Sequence, residues 1–210
     1  MKRASGFVLV PVMGLALAAL ACNTLNSRVP WAAQPTPAPT PTPAPEAAAP
    51  VGRPLPIAGG PVIGSPRETR IAVSENVASV QSLAPENYTT EELAVVGKTF
   101  TYTVAMDESR ELLWIYGWCT TSLELLGQNL EHMQVDFFVN GTRVDPQQLQ
   151  PFYGQASDGM PCQYLVTVVY DWPSGSTRLE TVVTFKEKIN DGISDYPPGT
   201  QTLQYTVTVP

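Results

Sequence analysis

Few side chains in this sequence can do chemistry, and they are scattered. His132 is the single imidazole among 210 residues. It follows Glu131 just ahead of an alternating apolar run, where a solvated histidine is expected rather than a general base. No Gly-x-Ser-x-Gly elbow offers a hydrolase nucleophile, and no Gly-x-x-x-x-Gly-Lys loop could cradle phosphate. Asp145, Asp158, Asp191 and Asp195 fall in polar segments between strands. Glycoside hydrolysis would require two of them to face each other across a cleft. Asn190-Asp191-Gly192 lacks the alternating oxygen ligands and terminal Glu of a calcium loop, so these acids are expected to build turns. The three cysteines, Cys22, Cys119 and Cys162, together with one histidine provide no convincing metal ligand set. Neither an enzyme nor a cofactor or metal site is expected.

Aromatic residues are the other handle. Trp114, Tyr116 and Trp118 alternate within Leu-Leu-Trp-Ile-Tyr-Gly-Trp. On one face of a strand they form either a stacking platform for a sugar or peptide, or the large residues of a core, and the core is favoured. Phe152 and Tyr153 follow Pro151 in a segment read as a loop, where an aromatic has less structural reason to be. They are the preferred candidates for ligand contact. Asn87-Tyr88-Thr89 and Asn140-Gly141-Thr142 match the glycosylation sequon, with turn or cap roles expected for both asparagines.

The beginning of the chain indicates an address. Lys2 and Arg3 precede an apolar run from Phe7 to Leu20, followed by Ala21-Cys22. A charged stretch, a short apolar stretch and a small residue make a secretory signal, and about 20 apolar residues would be needed for a comfortable span. The cysteine directly after the small residue makes this segment resemble a bacterial lipoprotein signal. The resemblance implies removal of residues 1–21, lipidation of Cys22, and residence on the extracytoplasmic face of a cell membrane. With Cys22 so used, Cys119 and Cys162 remain. Outside the cytoplasm they are expected to bond to each other, the alternative being two buried thiols. A closed loop of about 44 residues would remove about 4 kcal/mol of unfolded-chain entropy.

Residues 22–66 are poor in core-forming side chains, and Gln34 to Pro45 reads Gln-Pro-Thr-Pro-Ala-Pro-Thr-Pro-Thr-Pro-Ala-Pro. Such a tract favours polyproline II, so this stretch is expected to be a semi-rigid stalk. From Arg67 onward eight Lys/Arg stand against eighteen Asp/Glu. That balance repels phosphate backbones, which argues against nucleic acid and leaves membrane contact to the lipid. The expected partners are the membrane through Cys22 and an envelope protein or glycan, with the chain a monomer.

Residues 67–210 are long enough for one domain. Residues 67–97 read as a transition with short turns, and Thr89 to Glu92 has capping-box spacing. From residue 98 the apolar period becomes two: Phe100, Tyr102 and Val104; Val135, Phe137 and Val139; Leu179, Thr181, Val183 and Phe185; Leu203, Tyr205, Val207 and Val209. The run from Leu112 to Trp118 is apolar throughout and is expected in the middle of a sheet. Thr121 and Glu124 suggest another short capped helix. Asn140-Gly141 is a strong hairpin signal, and residues 146–161 read as a long polar loop. The expected class is all-β: an antiparallel sandwich of about seven strands with one or two short helical turns, its core in residues 98–210. Pro197-Pro198-Gly199 before an alternating final strand resembles bacterial immunoglobulin-like surface modules. That resemblance implies an immunoglobulin-like sandwich serving structure or interaction. In antibody domains the cysteines lie mid-strand on facing sheets, whereas Cys119 and Cys162 flank strand ends, so a bridge here would tie one pole.

Overall fold

The computed structural model describes residues 52–210. The leader, Cys22 and the Pro-rich tract lie outside the described residues. Two short strands come first, β1 (Leu55–Pro56) and β2 (Val62–Ile63), then three helices, α1 (Pro66–Ser74), α2 (Val80–Leu83) and α3 (Thr90–Leu93). Strands β3 (Thr99–Ala105) and β4 (Leu112–Cys119) precede α4 (Leu123–His132), which runs into β5 (Met133–Val139) and β6 (Thr142–Arg143). A single 3-10 turn (Pro146–Gln148) leads to β7 (Gln150–Gln155), β8 (Pro161–Tyr170) and β9 (Gly175–Phe185). The hairpin β10 (Ile189–Asn190) and β11 (Asp195–Tyr196) stands before the last strand, β12 (Gly199–Val209).

The fold is mostly β, with few helices. In one sheet β8 is central, with β4 on one side and β2 and β7 on the other, and β1 outside β2. The second sheet has the order β3-β12-β9-β5-β6. All pairs in these sheets are antiparallel except β3 with β12, which run parallel with Phe100 opposite Leu203. The inner faces of the two sheets meet in one apolar core. Trp114 lies 4.5 Å from Phe137 between ring centres, and Trp118 lies 5.7 Å from Phe185. Asn140-Gly141 turns β5 into β6 with both φ angles positive (48° and 82°), the geometry that this residue pair tolerates.

The structure departs from the sequence expectations at five places. The folded unit takes in residues ahead of Arg67: β2 pairs with β8, and Ile63 is fully buried. The stretch assigned to the stalk therefore ends earlier than residue 66. The transition zone holds a nine-residue helix, α1, because Ser65 and Glu68 form a reciprocal capping box and Pro66 starts the first turn. Residues 146–161 are not one loop; β7 pairs with β8 from Gln150↔Val166 to Gln155↔Pro161. The rungs facing β8 fall on Gln150, Phe152 and Gly154, so Pro151, which lacks an N–H, occupies the free edge. The helix expected at Thr121 begins one residue later, with Ser122 as its cap, and runs ten residues through Gly127.

The fifth difference concerns β4, which is an edge strand and not a central one. Its residues are apolar throughout because both faces are covered. Trp114, Tyr116 and Trp118 point into the core, while Leu113 and Ile115 join Val166, Val168 and Ala72 of α1 in a second cluster outside the sheet.

Candidate aromatic cleft

Asp145, Asp158 and Asp191 each accept backbone N–H groups in turns. Asp145 accepts the Gln147 N–H at 2.9 Å and Asp158 accepts the Met160 N–H at 3.1 Å. Asp191 Oδ1 accepts the N–H groups of Ile193 and Ser194, each at 2.7 Å, and its Oδ2 accepts the Tyr196 hydroxyl at 2.9 Å. Lys188 and Asn190 donate to Asp195 and hold its carboxyl below the usual carboxylate range. His132 closes α4 with its Nδ1 3.7 Å from Glu187. These groups do not converge on one point. Among the described residues no group of three His, Cys, Asp or Glu could hold a metal ion.

Cys119 and Cys162 are disulfide-bonded and sit directly opposite each other at the end of the β4–β8 ladder, Cα atoms 4.1 Å apart. The bond links neighbouring strands of one sheet. Asn140 acts as a turn residue with both ends of its amide engaged: Oδ1 accepts the Arg178 N–H at 2.9 Å, and Nδ2 donates to Gly59 O at 3.1 Å.

Of the aromatics singled out as ligand contacts, Trp114 is fully buried, and Tyr116 and Trp118 are 7% exposed. They are core residues because the second sheet covers their face. Phe152 is half-buried opposite Tyr164, packed in the outer cluster, and is no free loop anchor. Tyr153 is 70% exposed on the β7 edge, its hydroxyl accepting from Gln163 at 2.7 Å.

A cleft of about 690 Å³, with Tyr116 and Trp118 in its lining, opens where the edge strands β4 and β3 of the two sheets come together. The α2–α3 segment walls one side, and the β10–β11 hairpin, with Asp191 and Ile193, walls the other. Two side chains from the α2–α3 segment seal rungs on these edges. The Gln81 amide donates to Ile115 O at 2.5 Å and accepts the Ile115 N–H at 3.3 Å. The Tyr88 hydroxyl accepts the Thr101 N–H at 3.0 Å and donates to Thr101 O at 3.3 Å. A strand edge capped in this way is protected from pairing at that rung.

Tyrosines form much of the cleft. Tyr102 and Tyr205 stack with ring centres 4.9 Å apart, and Tyr88 meets Tyr102 edge-on at 5.4 Å. Burial, with Tyr102 close by, pushes the Tyr205 phenol up to about 12. Burial also raises the Tyr116 phenol, with Tyr196 adding to it. Trp118 reaches this cleft as well, and its buried indole N–H has no hydrogen-bond partner among the described residues. Apart from Tyr116 and Trp118 of the aromatic run, the site had no local mark in the sequence, since Gln81 and Tyr88, Tyr102, Gly117, Asp191 and Tyr205 come from five separate segments.

No family model matches the sequence, and no curated protein does. Among solved structures, PbICP-C in complex with falcipain-2 is similar over 54% of this chain and 90% of its own, at 9% identity and a TM-score of 0.31. Plasmodium falciparum protein Pf12p is similar over 53% of this chain, which spans 42% of that protein, at 6% identity and a TM-score of 0.27. Likeness at this level carries no argument about what this chain does.

Proposed function

We propose that the chain is a lipid-anchored, extracytoplasmic interaction module of the bacterial envelope, with no catalytic role, and that its β domain is an immunoglobulin-like sandwich. The observation that carries this reading is the Cys119–Cys162 disulfide within the β domain. A bonded pair belongs in an oxidising compartment. It also leaves Cys22 as the odd cysteine, at the place where a lipoprotein signal would have it modified. Two packed sheets and the alternating final strand support the sandwich. Detergent partitioning tests the anchor. The natural chain should enter the detergent phase and Cys22→Ser should stay in the aqueous phase; equal retention of the two would overturn it.

A second reading, a glycan- or small-ligand-binding lipoprotein, is favoured by the tyrosine faces of the cleft. It places contact at the part-exposed Tyr88 and Tyr102, above Tyr116 and Trp118 of the Trp114 strand, in place of Phe152. A glycan array scored against Tyr102→Ala tests it.

A further inference from the structure

The β4 ladder fixes which backbone groups face the cleft. Thr120 donates its N–H to Pro161 O at 3.0 Å, so residues 112 to 120 of even number pair with β8, and odd-numbered ones point to the free edge. Leu113 uses that edge to donate to Ala78 O at 2.9 Å, and Ile115 gives both of its groups to Gln81. The next two outward rungs are Gly117 and Cys119. Both line the cleft, and among the described residues no hydrogen bond takes up their outward N–H and C=O groups. They are one strand repeat apart, about 6.6–6.8 Å, the spacing at which a neighbouring strand offers its own pairs.

The surroundings select the strand. Among the described residues, Glu86 and Asp191 are the carboxylates lining the cleft, and no Lys, Arg or His lines it. The part-exposed Tyr88 and Tyr102 add rings that attract cations. We propose that an extended, lysine- or arginine-containing peptide segment of a partner protein adds as a strand to β4 at Gly117 and Cys119. Gln81 closes the rung before it at Ile115, and Asp191 O accepts the Thr121 N–H at 2.9 Å on the rung after it, which leaves this stretch as the docking point. Sheet addition draws affinity from backbone hydrogen bonds and specificity from alternate side chains. A glycan has no matching repeat of paired donors and acceptors. The inference rests on the interaction-module reading and is independent of the lipid, which detergent partitioning tests separately.

The experiment uses the full mature chain in detergent micelles and an end-capped eight-residue peptide of alternating valine and lysine. Amide exchange is followed residue by residue by NMR, and affinity by fluorescence anisotropy. Bound peptide should slow exchange at Gly117 and Cys119 by about tenfold or more while leaving Ile115, already bonded, unchanged. The same peptide N-methylated on the edge facing β4 keeps its charge and should bind about tenfold more weakly, as should the unmodified peptide to Glu86→Lys. Tight binding of the N-methylated peptide, unaltered exchange at Gly117 and Cys119 at saturation, or displacement of the peptide by a neutral oligosaccharide would each overturn the proposal. So would absence of binding at millimolar peptide.

Discussion

The Trp114 indole N–H donates to the Thr181 hydroxyl at 3.1 Å, joining β4 of one sheet to β9 of the other across the apolar core. Both residues are fully buried, so each depends on the other for its hydrogen bond. Thr181→Val should cost about 1–3 kcal/mol by leaving the indole N–H unpaired. Trp114→Phe should cost at least as much, because a gap is added to the unpaired hydroxyl. The double variant should be less destabilised than the sum of the two by about 1 kcal/mol. Urea denaturation of the four proteins measures this; strict additivity would show that the bond contributes nothing.

The disulfide closes a loop containing α4, β5, β6 and β7, so both sheets lie partly within it. Reduction, or Cys119→Ala with Cys162→Ala, should lower stability by about 2–4 kcal/mol. The check is the denaturation midpoint with and without reductant. An unchanged midpoint would mean that the ladder alone fixes this end of the sheet.

Alkaline pH should unfold the domain through its tyrosines. Burial, with Asp191 beside it, raises the Tyr196 phenol, as burial raises Tyr116 and takes Tyr205 to about 12. In the unfolded chain tyrosine loses its proton near pH 10. From about pH 10 to 12 the folded state thus binds more protons than the unfolded one, and stability falls as pH rises through that window. Below pH 10 the contribution is fully present. Phenolate absorbance should rise in two stages, the later one coinciding with loss of the circular dichroism signal. A single stage near pH 10 with the fold intact would contradict this account.

The two neighbours Phe152 and Tyr153 should behave oppositely. Tyr153 is 70% exposed, and Tyr153→Ala should shift stability by no more than about 0.5 kcal/mol. Phe152 packs in the outer cluster, and Phe152→Ala should cost about 1–2 kcal/mol. Thermal melts distinguish the pair; equal effects would place both side chains in solvent.

The start of the folded unit can be tested by truncation. A chain beginning at Gly52 keeps Ile57 and Ile63, 6% and 0% exposed, and the Ser65 cap. One beginning at Arg67 loses two buried isoleucines, at about 1.5–3 kcal/mol each, and the cap, at about 1 kcal/mol. The shorter chain should have the lower melting temperature. Equal melting temperatures would return this stretch to the stalk.

What the sequence made legible was local. Asn140-Gly141 announced its hairpin, Thr89 with Glu92 its capped turn, and the alternation around Phe137 or Tyr205 its strand, since each signal is carried by residues a few positions apart. Ser65-Pro66 with Glu68 carried an equally clear helix start, but it abuts a proline-rich stretch that dominates the local composition. β7 was hidden because Pro151 and Gly154 interrupt any alternation, and an edge strand tolerates both. The edge position of β4 was not legible either. Burial on both faces looks the same in sequence whether a helix or further strands cover the outside. The cleft follows from that edge, and so it became visible only with the topology.

Pairing β12 parallel to β3 has a consequence for how the molecule is made. Thr99 must wait for Thr202, its rung partner, and every other rung of β3 waits similarly long. Contacts spanning so much chain are formed slowly, because closure entropy is lost before any rung compensates it. An early strand without its late neighbour is a sticky ribbon with an unsatisfied flank on each side. Such a ribbon would need a chaperone's shelter until β12 arrives to pair with it.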